Sequence, residues 1–168
     1  MPAVLSPATA ALARDLADLC VRRGLICATA ESCTGGLLGA ALTSLAGSSR
    51  FYAGGVVAYA NEVKSALLGV PGDMLAAHGA VSRPVAEAMA LGVRRATGAD
   101  VGLSTTGVAG PDGGSAAKPV GTVWIGWSLG GESRAELFRF DGGRDAVRAA
   151  AVRQALEILR VVLRGPSD

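Results

Sequence analysis

Apolar residues recur along the chain at helical spacing, then at strand spacing, and the two patterns alternate. Leu12, Leu16, Leu19 and Cys20 share one helical face behind Ser6-Pro7, a capping serine with a proline suited to a first turn. Gly24 closes that element, and Leu25 to Ala30 reads as a strand. A second helix is predicted from about Thr34 to Leu45-Ala46-Gly47. Phe51 to Tyr59 is strand-like, with Gly54-Gly55 marking a bulge or a close backbone approach. Asn61 caps a short helix containing Lys64, Leu67 and Leu68, which Gly69-Val70-Pro71-Gly72 breaks; Asp73 to His78 adds one or two helical turns. Ser82 caps a clear helix with Val85, Met89 and Val93 on one face. Asp100 to Thr106 is a buried-type strand that runs into the glycine-rich loop Gly107 to Ser115. Val120 to Leu129 and Ser133 to Phe140 form a hairpin across Gly130-Gly131. The last helix spans Arg144 to Leu163, with Val147, Ala151, Ala155, Ile158 and Val162 facing inward. The order α-β-α-β-α-α-β-β-β-α predicts an α/β fold with a mixed, partly parallel sheet covered on both faces. No linker, repeat or low-complexity segment interrupts it, so residues 1–168 are expected to form one domain.

Composition changes this picture in three ways. Half the residues are hydrophobic and only 18% are charged, yet no apolar run reaches the ~18 residues of a membrane span. The start, Met1-Pro2-Ala3-Val4-Leu5-Ser6, lacks the basic and apolar regions of a signal peptide, so a cytoplasmic protein without membrane association is expected. A net charge of +2 without basic runs, and 4% aromatics, argue against nucleic-acid binding. Three cysteines without a C-x-x-C pair and a single histidine argue against a metal site, and Cys20 and Cys27 fall on apolar faces. The 16 basic residues include only two lysines, Lys64 and Lys118. Where arginine is used almost everywhere, a retained lysine suggests a position at which the proton must be able to leave.

Candidate chemistry collects in three stretches whose strand ends, Ala30, Tyr59 and Thr106, would converge on one cleft. The first is the turn Glu31-Ser32-Cys33-Thr34-Gly35-Gly36 between a strand and a helix. There a hydroxyl or thiol nucleophile would see the positive end of a helix and preformed amide donors, although serine and threonine also serve as plain helix caps. The second is Tyr59 to Lys64. His78 is the only imidazole and lies before Gly79 at an expected surface position, which leaves Lys64 as the base available to Ser32 if an apolar pocket desolvates it. Tyr59 would relay or stabilise the proton; the alternative is a solvated helix lysine and a strand tyrosine. The third is Thr105-Thr106 before Gly107-x-x-Gly110, which offers hydroxyls and amides to an anion. It fits neither the Walker nor the dinucleotide fingerprint. Arg144 and Arg148, one turn apart at the start of the last helix, suit either an anionic ligand or an Asp partner such as Asp141 or Asp145.

Four motifs, in order, resemble the CinA C-terminal domain family: Ala30-Glu31-Ser32-Cys33-Thr34-Gly35-Gly36-Leu37, Tyr59-Ala60-Asn61-Glu62-Val63-Lys64, Thr106-Gly107-Val108-Ala109-Gly110-Pro111-Asp112-Gly113-Gly114 and Lys118-Pro119-Val120-Gly121-Thr122-Val123. The similarity runs from about Leu12 to Leu159 and is to the stand-alone amidase form, without the companion N-terminal domain of longer members. The resemblance implies a three-layer α/β/α sandwich and hydrolysis of nicotinamide mononucleotide, a pyridine nucleotide, to nicotinate mononucleotide and ammonia. It implies Ser32 as nucleophile in preference to Cys33, with Lys64 and Tyr59 as partners. Cys33, Thr34, Gly35, Gly36, Thr106, Gly107, Gly110 and Arg144 are the expected substrate-binding residues. No metal or other cofactor is expected, and a homo-oligomer is. Where the family often has Gly-Asp-Arg before the last helix, this chain has Gly142-Gly143-Arg144, and Arg83-Pro84 replaces residues that are commonly acidic. The alternative from another class is a non-catalytic binding or partner domain of the competence/damage type.

Overall fold

The computed structural model describes residues 6–165; Met1 to Leu5, read above for a signal sequence, lie outside the described residues. Helix α1 (Pro7–Arg23) begins where the Ser6 hydroxyl accepts the Thr9 N–H at 3.2 Å and ends at Gly24 in the left-handed region. Strands β1 (Cys27–Glu31), β2 (Tyr52–Val57) and β3 (Val101–Gly107) run parallel, and β4 (Thr122–Leu129) and β5 (Glu132–Arg139) are antiparallel additions. The sheet order is β2-β1-β3-β4-β5, a mixed α/β sheet as the element pattern predicts.

Helices cover both faces. On one side α1, α2 (Leu37–Thr43) and α6 (Arg144–Arg164) pack Leu16, Leu42, Val152, Leu156 and Leu159 against Leu103 and Ile125. On the other, α3 (Asn61–Leu68), α4 (Gly72–His78) and α5 (Arg83–Thr97) pack Leu68, Val85, Met89 and Val93 against Ala28 and Ala30. Each large aliphatic side chain sealed in these layers contributes about 1.5–3 kcal/mol of transfer free energy. Successive residues of β1 alternate between the layers. Cys27 faces the first layer and Ala28 and Ala30 the second, so the chain leaves the strand with Glu31 and Ser32 on opposite faces.

Several elements and bounds differ from the sequence pattern. Three helices, not two, separate β2 from β3, because Gly72–His78 forms a helix of its own. Helix α2 starts at Leu37 rather than near Thr34, since Gly35 and Gly36 take φ of 60° and 98° and hold a turn open before it. The second strand stops at Val57, releasing Ala58 and Tyr59 from the ladder. Ala60, not Asn61, occupies the cap position of α3, with no side-chain cap. The β1–β2 register shifts at Ala53, one residue before the predicted Gly54-Gly55 feature, and a Cβ on Gly55 would press on Thr29 and stand 2.7 Å from the Tyr52 hydroxyl. Among the described residues no helix is long and apolar enough to cross a membrane.

Candidate functional site

The carboxyl ends of β1, β2 and β3 open into one cleft of about 200 Å³ lined by Ser32, Cys33, Tyr59, Lys64, Ala80, Val81, Thr106, Gly107 and Ala109. Larger concavities lie elsewhere, and one of them, the groove between α3, α4 and α5, is mainly apolar. The chemistry is at the strand ends, where α/β sheets bind ligands.

Lys64 is among the largest buried side chains of the described residues, 1% exposed. It enters from α3, and its Nζ lies 3.1 Å from Ser32 Oγ, 2.8 Å from the Ala58 carbonyl oxygen and 3.0 Å from that of Tyr59. Both carbonyls are free for this contact because β2 has ended. Burial disfavours the ammonium and pulls the Lys64 pKa below 10.5. Ser32 is anchored by its own N–H, which donates to the Thr105 carbonyl at 2.9 Å.

The turn after Ser32 is built around Glu31, a residue to which the sequence pattern assigned no role. Its carboxylate is 2% exposed and accepts four hydrogen bonds. Oε2 takes the Thr34 hydroxyl at 2.7 Å and the Gly36 and Leu38 N–H groups at 3.0 Å each; Oε1 takes the Gly39 N–H at 2.8 Å. A carboxylate is thus the cap of α2, satisfying amides that have no intrahelical partner and favoured by the helix dipole. The Thr34 hydroxyl also accepts from Thr105 Oγ1 at 2.7 Å, and Arg148 Nη2 of α6 donates to the Thr34 carbonyl at 3.2 Å. The sequence marks Glu31 by a charge at a buried-strand position just before Gly35-Gly36 and by its place in the first family motif.

Several residues expected to meet a ligand are committed to the protein instead. Thr34 is wholly buried between Glu31 and Thr105, the Gly36 amide belongs to Glu31, and the Gly35 amide donates to the Ser32 carbonyl. The N–H groups of Cys33 and Thr34 are the amides of this turn that meet no protein acceptor among the described residues. The Cys33 thiol is pushed up to about 12, chiefly by burial, which keeps it protonated and weak as a nucleophile. The Thr106 hydroxyl donates to the Ala80 carbonyl at 2.8 Å, and Gly107 is still in β3, paired with Val123. The anion nest expected across these two residues is therefore ordinary strand.

Tyr59 contributes its carbonyl, not its phenol, to Lys64. Tyr59 is 61% exposed, and its hydroxyl accepts from Arg144 Nη2 at 3.1 Å, while Arg144 Nη1 donates to the Gly110 carbonyl at 2.8 Å. Tyr59, Arg144 and Gly110 thus form a polar bridge at the rim. Arg148 faces inward to Thr34 and stands 3.7 Å from Asp145. His78 is exposed on α4, and its carbonyl accepts from Lys118 Nζ. Among the described residues no group of three or more His, Cys, Asp and Glu side chains converges as a metal site.

A family model described as the CinA C-terminal domain matches residues 9–163. The chain belongs to that family. A CinA-like protein of Gemmatimonas aurantiaca is 55% identical over 150 residues, 87% of this chain and 35% of the relative. A putative competence-damage inducible protein of Desulforudis audaxviator is 47% identical over 150 residues, 89% of this chain and 36% of the relative. The chain therefore spans about a third of the length of these curated CinA relatives. Among solved structures, a CinA superfamily protein from Klebsiella pneumoniae superposes with a TM-score of 0.89 at 41% identity, covering 92% of this chain and 97% of that one. The competence/damage inducible protein of Agrobacterium tumefaciens gives 0.88 at 44% identity, over 90% and 93%. The α/β architecture described above is that of the CinA superfamily structures.

Proposed function

We propose that this CinA-family chain is an amidohydrolase that deamidates nicotinamide mononucleotide through a Ser32 nucleophile activated by Lys64. The observation that carries the reading is the burial of the Lys64 amine 3.1 Å from the Ser32 hydroxyl. Burying an amine is expensive, and a domain that only bound a partner would have no use for one held against a hydroxyl. A neutral amine has two N–H groups and one lone pair. Here two carbonyls accept the N–H groups, and the lone pair is left for the serine proton.

In the proposed reaction Ser32 Oγ attacks the carboxamide carbon while its proton passes to Lys64 Nζ. The oxyanion of the tetrahedral intermediate needs converging donors, and the Cys33 and Thr34 amides beside Ser32, which meet no protein acceptor among the described residues, can serve as such donors. Collapse breaks the C–N bond; Lys64 returns the proton to the leaving nitrogen and ammonia departs. Water then attacks the acyl-serine ester, giving its proton to Lys64, and the nicotinate product leaves with Ser32 restored. No cofactor enters the scheme.

The cleft supports the substrate class by size. A cavity of about 150 Å³ holds a benzene ring, so about 200 Å³ suits one aromatic ring with its carboxamide, leaving ribose and phosphate at the rim. Arg144 is the cation at that rim. The test is ammonia release from nicotinamide mononucleotide by the purified protein, with Ser32→Ala and Lys64→Met as controls. Activity equal in all three would refute the reading.

A further inference from the structure

The geometry points to Glu31 as a positioning residue of the reaction: its buried carboxylate sets the direction of Ser32 toward Lys64 without itself meeting the substrate. The inference rests on the reading of Ser32 as nucleophile and extends it to a residue on the other face of the sheet.

Three features carry it. Glu31 is the last residue of β1, and Ser32 follows it directly. Strand alternation therefore ties the two side chains together: with Glu31 locked under α2, Ser32 is driven to the opposite face, where α3 delivers Lys64. The lock is unusually complete. Four donors from Thr34, Gly36, Leu38 and Gly39 fill one carboxylate, while the cap residue Gly36 has no side chain to do the work. The turn is held at two further points, the Thr105 hydroxyl on Thr34 Oγ1 and Arg148 Nη2 on the Thr34 carbonyl. All of this is aimed at one short stretch of backbone, and a displacement of about 1 Å at a reacting atom can cost a hundredfold in rate. The Glu31 carboxylate is taken up by the four donors of its own turn, on the face of the sheet away from Lys64. Its effect is thus geometric.

The experiment uses a fluorophosphonate probe, so that it does not depend on the natural substrate. Ser32 Oγ forms a bond to phosphorus, the P–F bond breaks, fluoride leaves, and the serine proton goes to Lys64. The labelling rate is followed against pH in the wild type, Glu31→Gln and Thr34→Val, with the labelled residue identified by mass and folding checked by thermal melting. The expected wild-type result is a label on Ser32 at a rate rising with pH to a plateau. Glu31→Gln keeps an oxygen for three of the donors but turns an NH₂ group against the Gly39 N–H. Its plateau is expected to fall tenfold or more with the midpoint pH unmoved, and Thr34→Val is expected to fall several-fold in the same way. A folded Glu31→Gln protein labelled at the wild-type plateau overturns the inference, and so does a shifted midpoint with a full plateau, which would make Glu31 an electrostatic partner of Lys64. If Glu31→Gln does not fold, Thr34→Val decides by the same criteria. A wild type that takes no label on Ser32 overturns the nucleophile reading itself, a result distinct from the others.

Discussion

Lys64 Nζ and Ser32 Oγ stand 3.1 Å apart although they come from elements 32 positions apart in the chain, and the amine is sealed from water by the end of β2 and by α3. Burial favours the neutral amine, the form that can accept the serine proton. With the Lys64 pKa below its ordinary 10.5, kcat/KM for amide hydrolysis should rise with unit slope as pH increases and level off at a midpoint under 10.5. The same shift gives stability a sign. Between the folded-state pKa and 10.5 the unfolded chain binds more protons than the folded one, so the Lys64 contribution should make the protein more stable as pH rises through that window. Lys64→Met should remove both dependences. A flat rate profile between pH 6 and 10 in the wild type (roughly the range on either side of a lowered lysine pKa) would count against Lys64 as base.

Ser32 and Cys33 are neighbours with opposite prospects. The hydroxyl has a base at hydrogen-bond distance, whereas the thiol is 4% exposed and held protonated with a pKa of about 12. Ser32→Ala is expected to lower kcat by about a thousandfold or more, as loss of a nucleophile does. Cys33→Ala should keep most of the activity and lose some stability from the buried side chain. Steady-state kinetics on the two variants separates the roles, and the reverse pattern would exchange them.

Much of this site is legible in the sequence because strand ends in a parallel sheet must lie together, so Ala30, Tyr59 and Thr106 had to share a cleft. The scarcity of lysine singled out Lys64, and a single surface histidine left it without a rival. Glu31 escaped because helix caps are sought at the residue before the first turn, whereas here the carboxylate reaches forward from the strand to amides five to eight residues on. Tyr59 presents its phenol as the evident polar group in the sequence. Where β2 ends decides whether the phenol or the carbonyl faces Lys64, and apolar periodicity does not resolve a boundary to that residue. Thr106 and Gly107 look like a loop by composition, yet pairing with β4 carries the strand through them.

Close packing of α5 on the sheet yields a prediction about stability rather than chemistry. A Cβ on Gly126 of β4 would stand 2.6 Å from both the Ala86 carbonyl oxygen and Ser104 Oγ, two atoms already hydrogen-bonded to each other at 2.6 Å. Neither can yield without breaking that bond or lifting α5. Gly126→Ala should therefore destabilise by about 1–3 kcal/mol, or lower Tm by roughly 2–12 °C. Thermal melting measures it, and a wild-type Tm would mean that α5 can shift freely.

The last prediction concerns the phosphate of a mononucleotide. A dianion at the rim needs a charged donor, since the Thr106 hydroxyl is spent on Ala80 and Arg148 on the serine turn. Arg144 remains, held between the Tyr59 hydroxyl and the Gly110 carbonyl. Those neutral acceptors keep the guanidinium over the mouth of the cleft, and a phosphate is a stronger acceptor for which it can exchange them. Arg144→Ala should then weaken use of nicotinamide mononucleotide by roughly tenfold or more in kcat/KM, the usual loss for a charged hydrogen bond. Nicotinamide riboside, which lacks the phosphate, should be affected far less. Thr106→Ala should not discriminate between the two, because its hydroxyl braces Ala80 rather than facing the anion. Tyr59→Phe isolates the bridge: it frees one guanidinium N–H without removing the cation, so mononucleotide use should hold or improve. Equal losses for mononucleotide and riboside in Arg144→Ala would make Arg144 a brace for the rim and leave the phosphate without this partner.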